Sequence, residues 1–263
     1  MLGGIFLSSE HNLFLKQKKK EKNKVLFFRI AILVIFLLSW EILARCGVIN
    51  TFLTTCPTEV LRSTYTLMKD GSLFNHISIT LYEILLSFVI SFILSFIIAC
   101  IMWMFPFIHK VLDPYLTVLN SLPKVSLGPL IIIWAGAGTK SIILMGILIS
   151  IFVTTLNLYQ AFSTVPEYYV KLMRSFGANK EKIFRYVIVP SNRKNILSSL
   201  KVNLSMNYIG VIMGELLVSK KGLGYLINYG SSVFHISLVI TSVCILCFLS
   251  YIMYYLVELL EKK

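Results

Sequence analysis

The chain has 263 residues, of which 57% are hydrophobic and 14% charged, and its formal net charge is +13. So few charges exclude an ordinary soluble domain, where about a quarter of residues are charged. Uncharged runs near or beyond the ~20 residues that cross a bilayer as helix indicate a polytopic membrane protein whose bundle is its one domain. The excess of Lys and Arg reads as topology rather than nucleic-acid binding, because basic residues collect in inner loops and no aromatic-interleaved basic domain stands apart.

The chain opens with a mildly apolar stretch and a basic run from Lys16 to Lys24. A full-length apolar run follows with no small-residue cleavage site, so residues 1–24 read as a basic inner tail before an uncleaved first helix. Six spans are predicted, at about Val25–Ala44, Ile77–Phe105, Tyr115–Trp134, Ser141–Phe162, Ile196–Val218 and Val233–Leu256. With the amino terminus inside, seventeen of the 25 Lys and Arg residues fall on inner segments and six on outer ones. That bias places both termini in the cytoplasm.

Between spans 1 and 2, the run from Pro57 to Met68 predicts a short surface helix that starts at Pro57 and Thr58. Val60, Leu61, Tyr65 and Met68 make its apolar stripe. Cys46 and Cys56 flank this outer loop and could pair in an oxidising space. Cys100, Cys244 and Cys247 fall in spans, where packing is the ordinary role. Span 3 is interrupted by Pro123 and Pro129. Broken backbone at membrane depth is tolerated where it is buried in protein or lines a cavity. Ser121, Ser126, Gly128, Trp134 and Gly136, with the two prolines, are therefore pathway candidates, packing of small residues being the equal alternative. Asn157 in span 4 is expected to hydrogen-bond between helices.

The segment from Glu167 to Lys194 lies on the inner side and reads as two short helices. The first, to Phe176, is expected to put Leu172, Met173 and Phe176 on one face. Gly177 permits a turn, and Asn179 caps a second helix striped by Ile183, Phe184 and Val187. Pro190 ends that helix or kinks it into span 5. Such a stripe needs a cover: the bundle, the lipid interface or a partner's groove. Ionisable residues inside spans are functional candidates by default. For Glu83 and Lys201 the expectation is a span end within reach of water; Glu215, near the outer end of span 5, is the stronger candidate.

No phosphate-binding loop, H-E-x-x-H motif or catalytic triad is present, and the four histidines are scattered, so enzymatic activity in this chain is not expected. The stretch from Gly177 to Pro190 resembles the cytoplasmic signature of ABC importer permease subunits, matching it in the spacing of Gly177 and the V-I-V-P ending. Trp40-Glu41, His76 with Thr80-Leu81, the run SLPKVSLGPLIIIWAGAGTKS from Ser121 to Ser141, Gly214-Glu215-Leu216 and the loop GLGYLI from Gly222 to Ile227 are similar to the nitrate, sulfonate and taurine subgroup. Together they cover about Trp40 to Ile227.

The resemblance implies an all-α polytopic membrane protein of about six transmembrane helices with the MetI-like ABC permease fold. Its permease domain would span 25–260, with a cytoplasmic coupling helix in the loop at about 165–193. It implies a bacterial plasma-membrane importer for nitrate, a sulfonate, taurine or a vitamin precursor. Two ATPase subunits would carry ATP and Mg, an extracytoplasmic binding protein would deliver solute, and the permease would pair with itself, with no cofactor bound directly. Glu167, Lys171, Leu172, Met173, Phe176, Gly177, Ala178, Asn179, Ile183, Phe184 and Pro190 are the implied ATPase-coupling residues. The chain departs from the family pattern where Lys171-Leu172-Met173 replaces Glu-Ala-Ala, Glu83 an Arg, Lys194 a Pro, and Ser199-Leu200-Lys201 a Gly-Leu-Arg. The alternatives are a secondary transporter, for which paired broken helices would be expected, and a membrane scaffold or sensor.

Overall fold

The computed structural model describes residues 3–50 and 54–261. They divide into two units, residues 1–62 and 63–263. In the first, α1 (Gly3–Arg45) is a single helix that runs through the basic stretch into the apolar one. The predicted tail is thus continuous with the first span, because Lys, Gln and Glu are good helix formers. Helix α2 (Pro57–Lys69) begins here, with Pro at its first position. The Glu41 carboxylate accepts from the Thr58 N–H (3.2 Å) and hydroxyl (3.0 Å), and from Arg45 Nε at 2.6 Å. Trp40-Glu41 is therefore, at least in Glu41, a cap for α2. Of the expected α2 stripe Val60 alone is buried; Leu61, Tyr65 and Met68 are exposed. The pairing open to Cys46 and Cys56 is not formed, and all five cysteines are free thiols.

The second unit contains α3 (Ser72–Met104), α4 (Pro106–Ser121), a 3-10 turn (Lys124–Leu127), α5 (Gly128–Ala135) and α6 (Thr139–Ser163). The inner segment follows as α7 (Glu167–Ser175) and α8 (Lys180–Ile183), then a π-turn (Phe184–Ile188) and a last turn (Val189–Ser191). Helices α9 (Arg193–Val218), α10 (Leu223–Ser232) and α11 (Ile236–Glu261) complete the chain. Among the described residues, five helices are long and apolar enough to cross a membrane. A sixth span exists if α4 and Lys124–Ala135 count as one, but they meet at 88°. The interruption expected at Pro123 is therefore a sharp bend, and the segment begins at Pro106 rather than Tyr115. The stretch after Gly222, read as loop, is helical.

Helices α3, α6 and α9 form the core, packed through small residues. Lipid tails are as apolar as leucine, so helices associate in membranes by close packing and hydrogen bonds. A Cβ on Gly210 of α9 would lie 2.6 Å from the Gly146 Cα of α6, and one on Gly214 3.0 Å from the Ile142 Cα. The sequence signal for this crossing is the spacing Gly210-x-x-x-Gly214. Ser87, Ser91 and Ser95 line the buried face of α3. Asn203 Nδ2 donates to Thr154 Oγ1 (2.9 Å) and Ser91 Oγ (3.1 Å), and Asn207 Nδ2 donates to Ser91 Oγ (2.9 Å). The interhelix amide bonds expected of Asn157 are thus made by Asn203 and Asn207.

Candidate coupling segment and solute path

Helix α7 presents two faces. Val170 and Met173 pack inward, whereas Tyr168, Leu172 and Phe176 form a four-residue repeat on the outside, with Phe176 77% exposed. The expectation that Leu172, Met173 and Phe176 share a face fails because consecutive residues sit about 100° apart on a helix. Gly177 turns the chain at φ +74°, a region open to glycine at little cost. The Asn179 side chain caps α8 by accepting from the Lys182 N–H at 2.9 Å. Ala178 is half-buried against the core below, and Lys180 Nζ donates to the Met104 carbonyl at the end of α3 (2.9 Å). Glu167 pairs with Lys171 at 3.1 Å, both exposed, a contact of little energetic weight.

After Gly177 the segment turns inward. Ile183, Phe184 and Ile188 are buried with Ala99, Leu158 and Phe162. The Phe184 ring stands edge-on to Phe162 (5.1 Å, 85°) and Phe96 (6.4 Å, 67°) and tilts against Trp103 (5.3 Å). One ring thus keys the inner segment to both α3 and α6. The helix ends at Ser191, one residue past Pro190, after its backbone has widened to a π-turn over Phe184–Ile188. Proline has no N–H for the ladder and its ring crowds the carbonyl four residues back, which the wider turn accommodates.

The pathway candidates are not brought together. Ser121, Pro123, Ser126 and Pro129 are exposed along the bent segment, as are Trp134 and Gly136, while the Ser121 and Ser126 hydroxyls bond to local carbonyls. Gly128 is buried, and a Cβ there would meet Leu217 at 2.7 Å, so it serves packing. Lys201 lies over the Tyr254 ring at 5.3 Å. A feature that only the tertiary structure reveals is a polar cavity of about 360 Å³ between α6 and α9, lined by Asn157, Gln160, Thr164, Asn195, Ser198 and Ser199. Its signal was amide and hydroxyl residues at helical spacing on two apolar spans.

Toward the end of α9 away from the inner segment, His76, Thr80, Glu215 and the start of α10 at Gly222 converge. The Thr80 hydroxyl donates to Glu215 Oε1 (2.6 Å) and accepts from the Leu223 N–H (2.9 Å). The Gly224 N–H donates to Glu215 Oε2 (2.5 Å), and the Gly222 N–H to His76 Nδ1 (2.9 Å). Glu215 thereby caps the N-terminus of α10, where the helix dipole favours an anion. Glu83, expected to reach water, is fully buried on α3.

This topology, with an inner helix–turn–helix keyed to a bundle of crossing spans, is matched by known proteins. Residues 91–263 match the family model described as binding-protein-dependent transport system inner membrane component. The chain belongs to this family. Over 234 residues it is 26% identical to a probable ABC transporter permease protein of Haemophilus influenzae, covering 89% of this chain and 95% of that one. It is 29% identical to the riboflavin transport system permease RibX of Chloroflexus aurantiacus, over 88% of this chain and 86% of the relative. It is 22% identical to the taurine transport system permease TauC of Escherichia coli, over 89% and 87%. Among solved structures, the inward-facing MetNI methionine ABC transporter superposes with a TM-score of 0.64 at 16% identity, over 72% of this chain and 94% of that one. The fold is therefore that of an ABC importer permease. The matched residues include the inner segment, the polar cavity and Glu215.

Proposed function

We propose that this permease forms, with a second permease copy, the path of a small polar solute, and that separate ATPase subunits grip the segment from Glu167 to Pro190. ATP and Mg would be bound by those subunits rather than by this chain. An extracytoplasmic binding protein would deliver the solute, and both termini would lie in the cytoplasm of a bacterial cell, with residues 1–24 on that side. The reading rests on one observation above all. Helix α7 offers an exposed apolar repeat at Tyr168, Leu172 and Phe176, while the residues that follow are rooted through Phe184 in α3 and α6. A partner that moves α7 therefore moves spans, which is how nucleotide binding would bias the two states of alternating access.

The long Leu172 and Met173 replace the small residues the family pattern carries, but Met173 points inward. The outer contact would be made by Leu172 and Phe176, in a partner groove with room for an aromatic ring. Phe176→Asp changes an exposed side chain and leaves the bundle intact. Affinity purification of the tagged chain from its native membrane, followed by mass spectrometry, is expected to recover an ATPase subunit with the wild type and to lose most of it with Phe176→Asp. Recovery of no ATPase with the wild type would favour a secondary transporter or a scaffold.

For the solute, the neutral amides and hydroxyls of the cavity between α6 and α9 favour a molecule held by hydrogen bonds, consistent with the taurine, sulfonate and riboflavin permeases among its relatives. Gln160→Leu is expected to lower uptake roughly tenfold, the value of one good hydrogen bond, with ATPase co-purification unchanged. Transport assays in proteoliposomes of the whole complex would measure this.

A further inference from the structure

Glu83 poses an unsolved charge problem. Its carboxyl is fully buried on α3, within interaction range of Glu215 and the Thr139 hydroxyl, yet neither oxygen closes a full hydrogen bond. Glu215 is well provided: Thr80, the start of α10 and the neighbouring glycines enclose its two oxygens. The fit is tight enough that a Cβ on Gly222 or Gly224 would collide with the Glu215 side chain. The Glu215 oxygens thus sit in a closely fitted cradle of hydrogen-bond donors. Two uncompensated negative charges enclosed side by side there are strongly disfavoured.

The surrounding groups do not supply the missing positive charge. His76 on α3 accepts the Gly222 N–H at Nδ1 and stacks on Tyr225 of α10 at 6.0 Å. Lys221 acts on His76. Tyr208 of α9, which lies near Glu215, spends its hydroxyl on the Leu246 carbonyl of α11 at 2.6 Å. Thr139 at the start of α6 brings a neutral hydroxyl. Among the described residues no lysine or arginine forms an ion pair with either carboxylate. Nor do three His, Cys, Asp or Glu side chains converge as a transition metal would require.

We infer that one small monovalent positive charge, a proton or a sodium-sized ion, is held between the carboxyls of Glu83 and Glu215 by oxygen atoms of α3, α9 and the start of α6. With the charge in place, the two carboxyls and Thr80 tie α3, α9 and the beginning of α10 together. Without it, like charges meet at the junction where the chain leaves α9 for α10, and that junction loosens. The site is thus a cation-dependent latch at the end of the bundle remote from the coupling segment, and it stands whether or not the proposed solute path is correct.

Infrared spectroscopy of the full chain in lipid nanodiscs tests this, with N-methylglucamine chloride as the starting salt at neutral pH. A carbonyl band of a protonated carboxylic acid, shifted by carbon-13 glutamate labelling and missing from Glu83→Gln, is the result expected of a proton. The isotope shift identifies a glutamic acid even if the variant folds poorly. Sodium chloride is then exchanged in at constant ionic strength. A band that persists identifies the proton as occupant. A band that disappears, or a thermal midpoint that rises in sodium for the wild type and not for Glu83→Gln, identifies the metal ion. A wild type with no such band and the same midpoint in both salts has two uncompensated carboxylates, and that result overturns the inference.

Discussion

Gly210→Val is expected to prevent the bundle from assembling in its native packing. Gly210 faces Gly146 where α9 crosses α6, and a single added Cβ would sit 2.6 Å from the Gly146 Cα and 2.9 Å from the Met145 carbonyl oxygen. Both are backbone atoms, so no side chain can swing aside. Ser87 of α3 closes the far side of Gly146, with contacts of 2.8–2.9 Å to a Cβ placed there, so α6 has no room to retreat. Overpacking by even one or two carbons costs about 1–3 kcal/mol. Valine adds three against rigid neighbours and should exceed the upper value. Size-exclusion profiles and thermal midpoints in detergent would show a broadened or aggregated peak for Gly210→Val against a single wild-type peak, and an intermediate loss for Gly210→Ala. Gly177→Ala is the control. Its Cβ meets nothing within 4 Å, and the penalty there is only that of φ +74°, about 1 kcal/mol.

Phe184→Ala is expected to separate ATP hydrolysis from transport. The ring fills the space among Phe96, Trp103 and Phe162, and removing a buried aromatic side chain costs about 3–5 kcal/mol. The exposed repeat on α7 is untouched, so the ATPase subunits should still co-purify. What is lost is the rigid contact between the inner segment and the two spans. Reconstituted complexes are expected to hydrolyse ATP at an appreciable rate while solute uptake falls at least tenfold. Phe184→Leu, which keeps most of the volume, should recover a large part of the uptake. Equal losses of both activities would indicate that Phe184 serves stability alone.

The two variants probe parts of the molecule that differed greatly in legibility. The inner segment could be read almost whole: Gly177 as the turn, Asn179 as the cap and Ile183 with Phe184 as the buried stripe are local signals, and each occupies that place. The error fell on Leu172 and Phe176, which are as apolar as Met173 but point away from it. Apolarity alone does not say which side of a short helix is covered by its own bundle. Proline at position 123 foretold an interruption, but neither its 88° angle nor the extent of α4 before it.

Sequence by itself determined that this chain is a helical membrane protein, roughly where its spans run, and that a basic amphipathic element sits between two of them. Those properties follow from run length, charge and turn residues within short windows. Tertiary structure alone decided which polar groups meet. Thr80 and Glu215 are 135 residues apart and bonded; Asn203 rather than Asn157 links the helices; Glu83 is enclosed rather than hydrated. The physical reason is that these spans are apolar on nearly every side, and lipid and protein core are equally suited to such surfaces. Hydrophobicity then carries no direction, and the face each span turns inward is set by small residues and polar partners supplied from distant parts of the chain.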